Sequence, residues 1–340
     1  MSKSLVAVVV LNWNDASLLP RSVGSLLKQT MESDIIIVDN DSKDNSREVI
    51  ESFGPKVTPL YNSTNTGFAG GVNTGIRYAI NQGYEYIALL NNDATADKDW
   101  VKHLYKAVSK SDRNGAATCS LIHSSEDTYD STGEQYSVWG LPHARGRAEV
   151  VKGQYDKQTD IMGASGGGSV FRASMFKDIG LFDEDFFAYY EDIDLGLRAH
   201  TRGWKFTFVP EAKSLHATGT TSGRVKNFGT YQGLKNQPLV LIKNIPLRLL
   251  WRIMPRFILA HSLFTVRALS RGQITTVLKV CLVLTWLIPK KFIERIGIQH
   301  RRVDSATKDI AELLVYDLPH NATALRKFRS TVRKVFPRFV

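Results

Sequence analysis

Short unbroken apolar runs mark the N-terminal half of the chain. Residues 5–11 read LVAVVVL and residues 35–38 read IIIV, both rich in β-branched side chains. A run that is apolar at every position suits a strand buried on both faces, as parallel strands beneath helices are. Helical spacing over about 17–29 lies between them, so the chain opens as β-α-β. A third run, 86–90, follows a helix expected over about 72–81. The fold class is therefore α/β, a mainly parallel open sheet flanked by helices, with loops at the strand C-terminal ends free to take a ligand. The polar residues that end these strands, 12–15, 39–42 and 91–93, are expected to converge on one edge.

The pattern breaks between 120 and 158, where polar residues and scattered glycines suggest a variable loop over a site. Order returns at 161–171 (IMGASGGGSVF), whose glycine triplet permits close backbone approach to a ligand or strand. From about Pro238 apolar residues alternate with arginine. Arg248, Arg252 and Arg256 would share one helical face and Leu250, Ile253 and Phe257 another, with Pro255 expected to kink or split the helix. This divides the chain into a catalytic domain, 1–240, and a basic, amphipathic helical region, 241–340.

Charge sharpens that division. The net charge is +11, yet residues 1–240 hold 25 Lys/Arg against 28 Asp/Glu, whereas 241–340 hold 19 against 5. A uniformly basic nucleic-acid binder is disfavoured. The two cysteines, Cys119 and Cys281, fit neither a disulfide framework nor a zinc spacing. No basic, apolar and small-residue series precedes the first strand, so no signal peptide is read and a cytoplasmic setting is expected.

Several polar clusters could carry chemistry. A carboxylate at Asp39, ending the second strand, could accept from a nucleotide base or ribose, although Asp/Asn/Ser clusters there also make ordinary turns. The glycines of 66–71 (TGFAGG), read as preceding a helix, would let amides approach a phosphate or simply make a tight connection. Asp93, after Asn91 and Asn92, could hold a divalent cation bridging two phosphates, for which one or two protein ligands suffice. In 186–198 (FFAYYEDIDLGLR), Glu191, Asp192 and Asp194 follow aromatics, an arrangement that suits a general base or an acidic helix N-terminus. His216 could add an imidazole to the cation on Asp93.

In order, VVVLNWND, IIIVDNDSKDNS, NTGFAGGVNTGI, ALLNNDA, YYEDIDLGLRAHTRGW and SLHATGTTS resemble the GT-A-fold glycosyltransferase family 2, especially its rhamnosyltransferase-like members, over residues 5–222. The resemblance implies a GT-A (Rossmann-like) sheet and an inverting transfer from a nucleotide-diphosphate sugar, with Mg²⁺ or Mn²⁺ on Asp93 and His216. It implies Asp192 as base beside Glu191, Asp39 on the nucleotide base, and Asn91 in the metal and ribose position. Asn12, Asn14, Asn40 and Asn92 are expected around the nucleotide. Gly67, Phe68, Gly71, Asn73, Gly167, Arg198 and Trp204 are expected along the substrate path. Asparagines at 91 and 92 leave Asp93 as the sole carboxylate of the motif. The Gln-x-x-Arg-Trp pattern of processive members is missing, which favours adding one or a few sugars. By resemblance the donor is dTDP-rhamnose.

The uncharged stretches 257–266 and 280–289 are too short to span a bilayer. Apolar residues among Lys/Arg suit helices lying on an anionic membrane surface, which would place the enzyme at the inner face of the plasma membrane, within reach of a lipid-linked glycan acceptor. The competing reading packs these helices on the core or on a second copy. A sugar nucleotidyltransferase would carry a glycine-rich, lysine-bearing loop where this chain has Asn12-Trp13-Asn14-Asp15. A catalytically silent nucleotide-sugar scaffold would show neither metal-stimulated donor hydrolysis nor transfer.

Overall fold

A computed structural model describes residues 4–217, 225–316 and 318. The first half alternates β1 (Val6–Asn12), α1 (Leu19–Leu26), β2 (Asp34–Asp39), α2 (Ser46–Ser52), β3 (Val57–Tyr61), α3 (Gly67–Asn81) and β4 (Tyr86–Asn91). A short β5 (Ala94–Ala96), α4 (Trp100–Ser109) and the long β6 (Asn114–His123) follow. The segment expected to be irregular contains β7 (Tyr129–Ser131), β8 (Glu134–Ser137) and β9 (Pro142–Ala144), and β10 (Thr159–Asp160) follows it. Next come β11 (Gly168–Arg172), α5 (Ala173–Ile179), α6 (Glu191–Thr201) and β12 (Lys205–His216). The chain then turns helical through α7 (Phe228–Asn244), α8 (Leu247–Ser270), α9 (Ile274–His300) and α10 (Ala306–Leu313), before a short β13 (Leu314–Val315).

The main sheet runs β10-β12-β6-β11-β4-β1-β2-β3, with β5 on β12 and β7 on β6. β3, β2, β1 and β4 are parallel, and β11 enters antiparallel between β4 and β6. The fold is the mixed, mainly parallel α/β sheet with C-terminal helices that the sequence pattern called for. Its two faces bury separate clusters: Val8, Val10, Ile35 and Ile37 face one way, Val9, Ile36 and Val38 the other. That alternation explains why the runs are apolar at every position.

α3 begins at Gly67, so the glycines expected before the helix form its first turns. A Cβ on Gly71 would stand 2.4 Å from a Leu11 methyl, and one on Gly75 2.4 Å from a Val9 methyl. The glycines therefore let α3 settle onto β1. α8 runs unbroken through Pro255, contrary to the expected split. Pro255 lies on the exposed side of the helix, where water can take the carbonyl its missing N–H leaves.

A third cluster joins Phe186, Ile193 and Leu197 to Leu239, Val240, Ile253 and Leu287 of α7, α8 and α9. A buried ionic network reinforces it. Lys291, fully buried, lies 2.5 Å from Asp183, 2.7 Å from Asp185 and 2.9 Å from Glu294. Lys243 reaches Asp183 at 2.6 Å and Asp194 at 2.8 Å. Lys291→Ala leaves these carboxylates undercompensated and is expected to cost about 3 kcal/mol, the low end of the range for breaking a buried pair, because Lys243 remains. Urea unfolding monitored by fluorescence measures the loss.

Candidate active site

The strand ends meet as the pattern required. Asn12 stands opposite Asp39 and Leu11 opposite Asn91, so the tips of β1, β2 and β4 lie side by side. Directly after Asp93 the chain forms β5, which pairs antiparallel with β12 so that His216 faces Ala94. That register sets the His216 Nε2 2.9 Å from the Asp93 carboxylate and 3.1 Å from the Asn91 side-chain nitrogen. On the other side of the ring, Nδ1 lies 2.8 Å from the carboxylate of Asp130, on β7. Arg147 in turn pairs with Asp130.

Burial opposes a charge on His216, but the carboxylates of Asp130 and Asp93 outweigh it and lift the imidazole to about 9. The same pair of donors, a carboxylate oxygen from the turn before β5 and Nε2 at the end of β12, offers what Mg²⁺ or Mn²⁺ takes from protein while diphosphate oxygens complete the shell. Asp130 holds the opposite nitrogen, as carboxylates behind metal-binding histidines do. Asp130→Ala is expected to weaken Mn²⁺ binding about 10–100-fold, read by electron paramagnetic resonance titration in the presence of nucleoside diphosphate.

The carboxylates of α6 approach from the opposite wall. The loop before the helix holds Phe187, Tyr189 and Tyr190 at φ of 64°, 69° and 73°, in the left-handed region that bulky residues avoid. Asn236 of α7 clamps it by donating to the carbonyls of Phe186, Ala188 and Tyr189 at 3.0, 2.9 and 2.7 Å. Gly67 makes room, since a Cβ there would stand 2.4 Å from the Phe187 carbonyl oxygen. The clamp presents Glu191 and Asp192 at the first turn of α6. Burial raises Asp192 to about 6, held from rising further by the Ile193 amide, which donates to its carboxylate at 2.8 Å. Burial and the neighbouring Asp192 push Glu191 to about 8, and one Glu191 oxygen has no hydrogen-bond partner. Glu134 of β8 is likewise raised by burial and by Asp192. Burial lifts Glu191 further than Asp192, so Asp192 is the more acidic member of the pair and the first to ionise.

Both groups line one cavity of about 1880 Å³. Pockets for a single small ligand typically measure roughly 300–1,000 Å³, so there is room for two substrates. Among the expected site residues, Asn40, Gly67, Phe68, Asn91, Asn92, Asp93, Gly167, Glu191, Asp192 and His216 line it. The others are placed elsewhere. Arg198 is buried against Asp194 at 2.8 Å and donates to the Ile179 and Leu181 carbonyls, so it closes a loop instead of meeting substrate. Asn73 bonds both the amide and the carbonyl of Phe182. Trp204 donates to Asp178, and Gly71 is a packing glycine. Asn12 bonds Ser46 and Asn92, Asn14 bonds the Ser42 hydroxyl, and Asp39 takes the Ser42 amide, so these three brace the floor. Asp130, Glu134 and Arg147, which the sequence pattern did not single out, do line the cavity. The polar, aperiodic 120–158 segment that carries them offers no signal by which to pick them. Asp183, Asp185 and Glu294 lie close enough together to share a cation, but Lys291 occupies the space among them.

A crevice at the parallel strand ends with an aspartate–histidine pair on one wall and raised carboxylates on another fits a GT-A fold. Residues 7–180 match the model of glycosyl transferase family 2, and the chain belongs to that family. It is rhamnosyltransferase-like. An N-acetylglucosaminyl-diphospho-decaprenol L-rhamnosyltransferase of Mycobacterium tuberculosis is 25% identical over 65% of this chain and 78% of its own length. The dTDP-rhamnosyl transferase RfbF of Shigella flexneri is 24% identical over 73% and 84%. Among solved structures, GalNAc-T7 with UDP, GalNAc and Mn²⁺ superposes with a TM-score of 0.56 at 18% identity, over 71% of this chain and 48% of that one. The chain thus spans about half of that structure, and the likeness is one of fold.

Proposed function

We propose that the chain is an inverting glycosyltransferase that moves a sugar, rhamnose from dTDP-rhamnose as first candidate, from a nucleotide-diphosphate donor to a hydroxyl of a lipid-linked glycan at the cytoplasmic membrane face. The observation that carries this reading is that Asp93 and His216 share one cavity with Asp192. The relatives' names, a dTDP-rhamnosyl transferase and a rhamnosyltransferase acting on a decaprenol-linked sugar, support the choice of donor and acceptor.

A Mg²⁺ or Mn²⁺ held by Asp93 and His216 would supply Lewis-acid neutralisation of the leaving diphosphate. The chain's own residues do the rest. Asp192, ionised at neutral pH, takes the proton of the acceptor hydroxyl as that oxygen attacks the anomeric carbon, and the donor's bond to phosphate breaks on the opposite side. Glu191 is raised further than Asp192, which leaves Asp192 the member of the pair that ionises first and can act as base. Phe187 and Tyr189 wall the approach beside α7, and Gly167, where an added Cβ would stand 3.1 Å from the Asn91 amide nitrogen, keeps the floor open.

Thermal unfolding with a panel of nucleotide-sugars, each with and without Mn²⁺, tests the reading. dTDP-rhamnose with Mn²⁺ is expected to give the largest rise in Tm. A larger rise with another nucleotide-sugar would replace the sugar, and no rise with any would remove the transferase reading.

A further inference from the structure

From the two long C-terminal helices we infer a docking face for an anionic lipid bilayer, lying in the membrane plane. Going round α8, three faces follow one another. Ile253, Phe257 and Ala260 are buried. Arg248, Arg252 and Arg256 form an exposed cationic row. Leu247, Trp251, Ile258, Val266 and Leu269 form a second apolar stripe that is exposed, Trp251 to 74%. α9 repeats the arrangement. Val277, Val280 and Leu287 are buried, Lys279 and Lys290 are exposed, and Ile274, Leu278, Leu282, Trp286, Ile293 and Ile296 form an outer stripe, with Leu282 at 73% and Trp286 at 78%. Both helices have therefore met their need for a core with one face and present another apolar face outward. Exposed apolar patches on this scale mark an interaction surface.

The charge pattern selects the occupant. α8 contains no acidic residue, and α9 contains only Glu294, which is engaged by Lys291. A twofold dimer through this face would set arginine rows against each other with no exposed carboxylate on either helix to receive them. An anionic bilayer instead takes the apolar stripe, with its tryptophans, into the acyl boundary and pairs the cations with phosphates. Among the described residues no helix is long and apolar enough to cross a membrane, so the helices lie on the surface.

The buried face of α8 reaches the wall of the catalytic cavity. Ile253 and Phe257 pack on Gly140, where an added Cβ would stand 3.1 and 2.9 Å from them, and the strand that follows, Pro142–Ala144, lines the cavity. On the proposed acceptor, the helix that docks is the one whose buried face packs beside the cavity.

Sedimentation of the full chain with phosphatidylcholine vesicles, with and without phosphatidylglycerol, tests the inference, together with Trp emission and light scattering. The wild type is expected to pellet with the anionic vesicles and shift its emission to the blue. The triple variant Arg248→Gln, Arg252→Gln, Arg256→Gln should partition about a hundredfold less. Leu282→Ser with Trp286→Ser should partition at least about tenfold less, with unchanged circular dichroism. Both variants should keep wild-type transfer to a water-soluble acceptor and lose it toward a vesicle-bound one. A wild type that stays in the supernatant, binding indifferent to the arginines, or a dimer that Leu282→Ser dissociates would overturn the inference. Vesicle binding needs no turnover, so loss of the transferase reading would leave this result intact, and the reverse.

Discussion

Replacing Asp192 by asparagine is expected to lower transfer about 10²–10⁴-fold while donor and Mn²⁺ binding stay within about twofold of wild type, since the side chain keeps its size and its contact with the α6 amide. Steady-state kinetics and a calorimetric titration of donor separate the two effects. The pH profile supplies the sign. Asp192 must be unprotonated to accept a proton, and burial has lifted it to about 6. kcat/KM should therefore fall as pH drops through about 6 and level off above it, and the asparagine variant should lose that limb. Normal turnover in the variant would remove Asp192 from the chemistry.

The second large effect concerns the other wall. Asp93→Ala removes the only carboxylate of the Asn91-Asn92-Asp93 motif and leaves Asp130 as the only carboxylate on His216. Loss of one electrostatic partner of the leaving group typically costs about 10²–10³ in kcat. Mn²⁺ binding measured by paramagnetic resonance should disappear together with transfer. If transfer fell while Mn²⁺ affinity stayed at the wild-type level, Asp93 would have another role. Asp192→Asn is expected to give the complementary pattern, Mn²⁺ bound and transfer lost.

The strands that carry the site were legible because β1, β2 and β4 are buried on both faces and so read as unbroken apolar runs, and their polar ends mark the ligand edge. His216 was legible only beside Asp93. The antiparallel return of β12 onto β5 that joins them is a long-range pairing, which no local pattern contains. Asp130 and Glu134 are hidden for the same reason: short strands in an aperiodic segment acquire their register from β6 and β9, and Arg147 follows in the turn after β9. Several polar residues of the motifs are engaged within the fold. Arg198 has the i,i+4 spacing to Asp194 of a helical ion pair and uses it as one, buried, while Asn73 and Trp204 satisfy groups of neighbouring segments. The glycines of 67–71 looked like a loop because helix propensity penalises them, yet packing against Leu11 outweighs that cost. The composition shift at Pro238 falls inside α7, whose Asn236 clamps the catalytic loop.

The stereochemical outcome of one turnover tests the central claim most directly. With Asp192 taking the acceptor proton in a single displacement, the sugar must arrive with its anomeric configuration inverted relative to the donor, as read from the one-bond carbon–proton coupling of the isolated product. Retention of configuration would require a covalent or front-face route and would contradict the account.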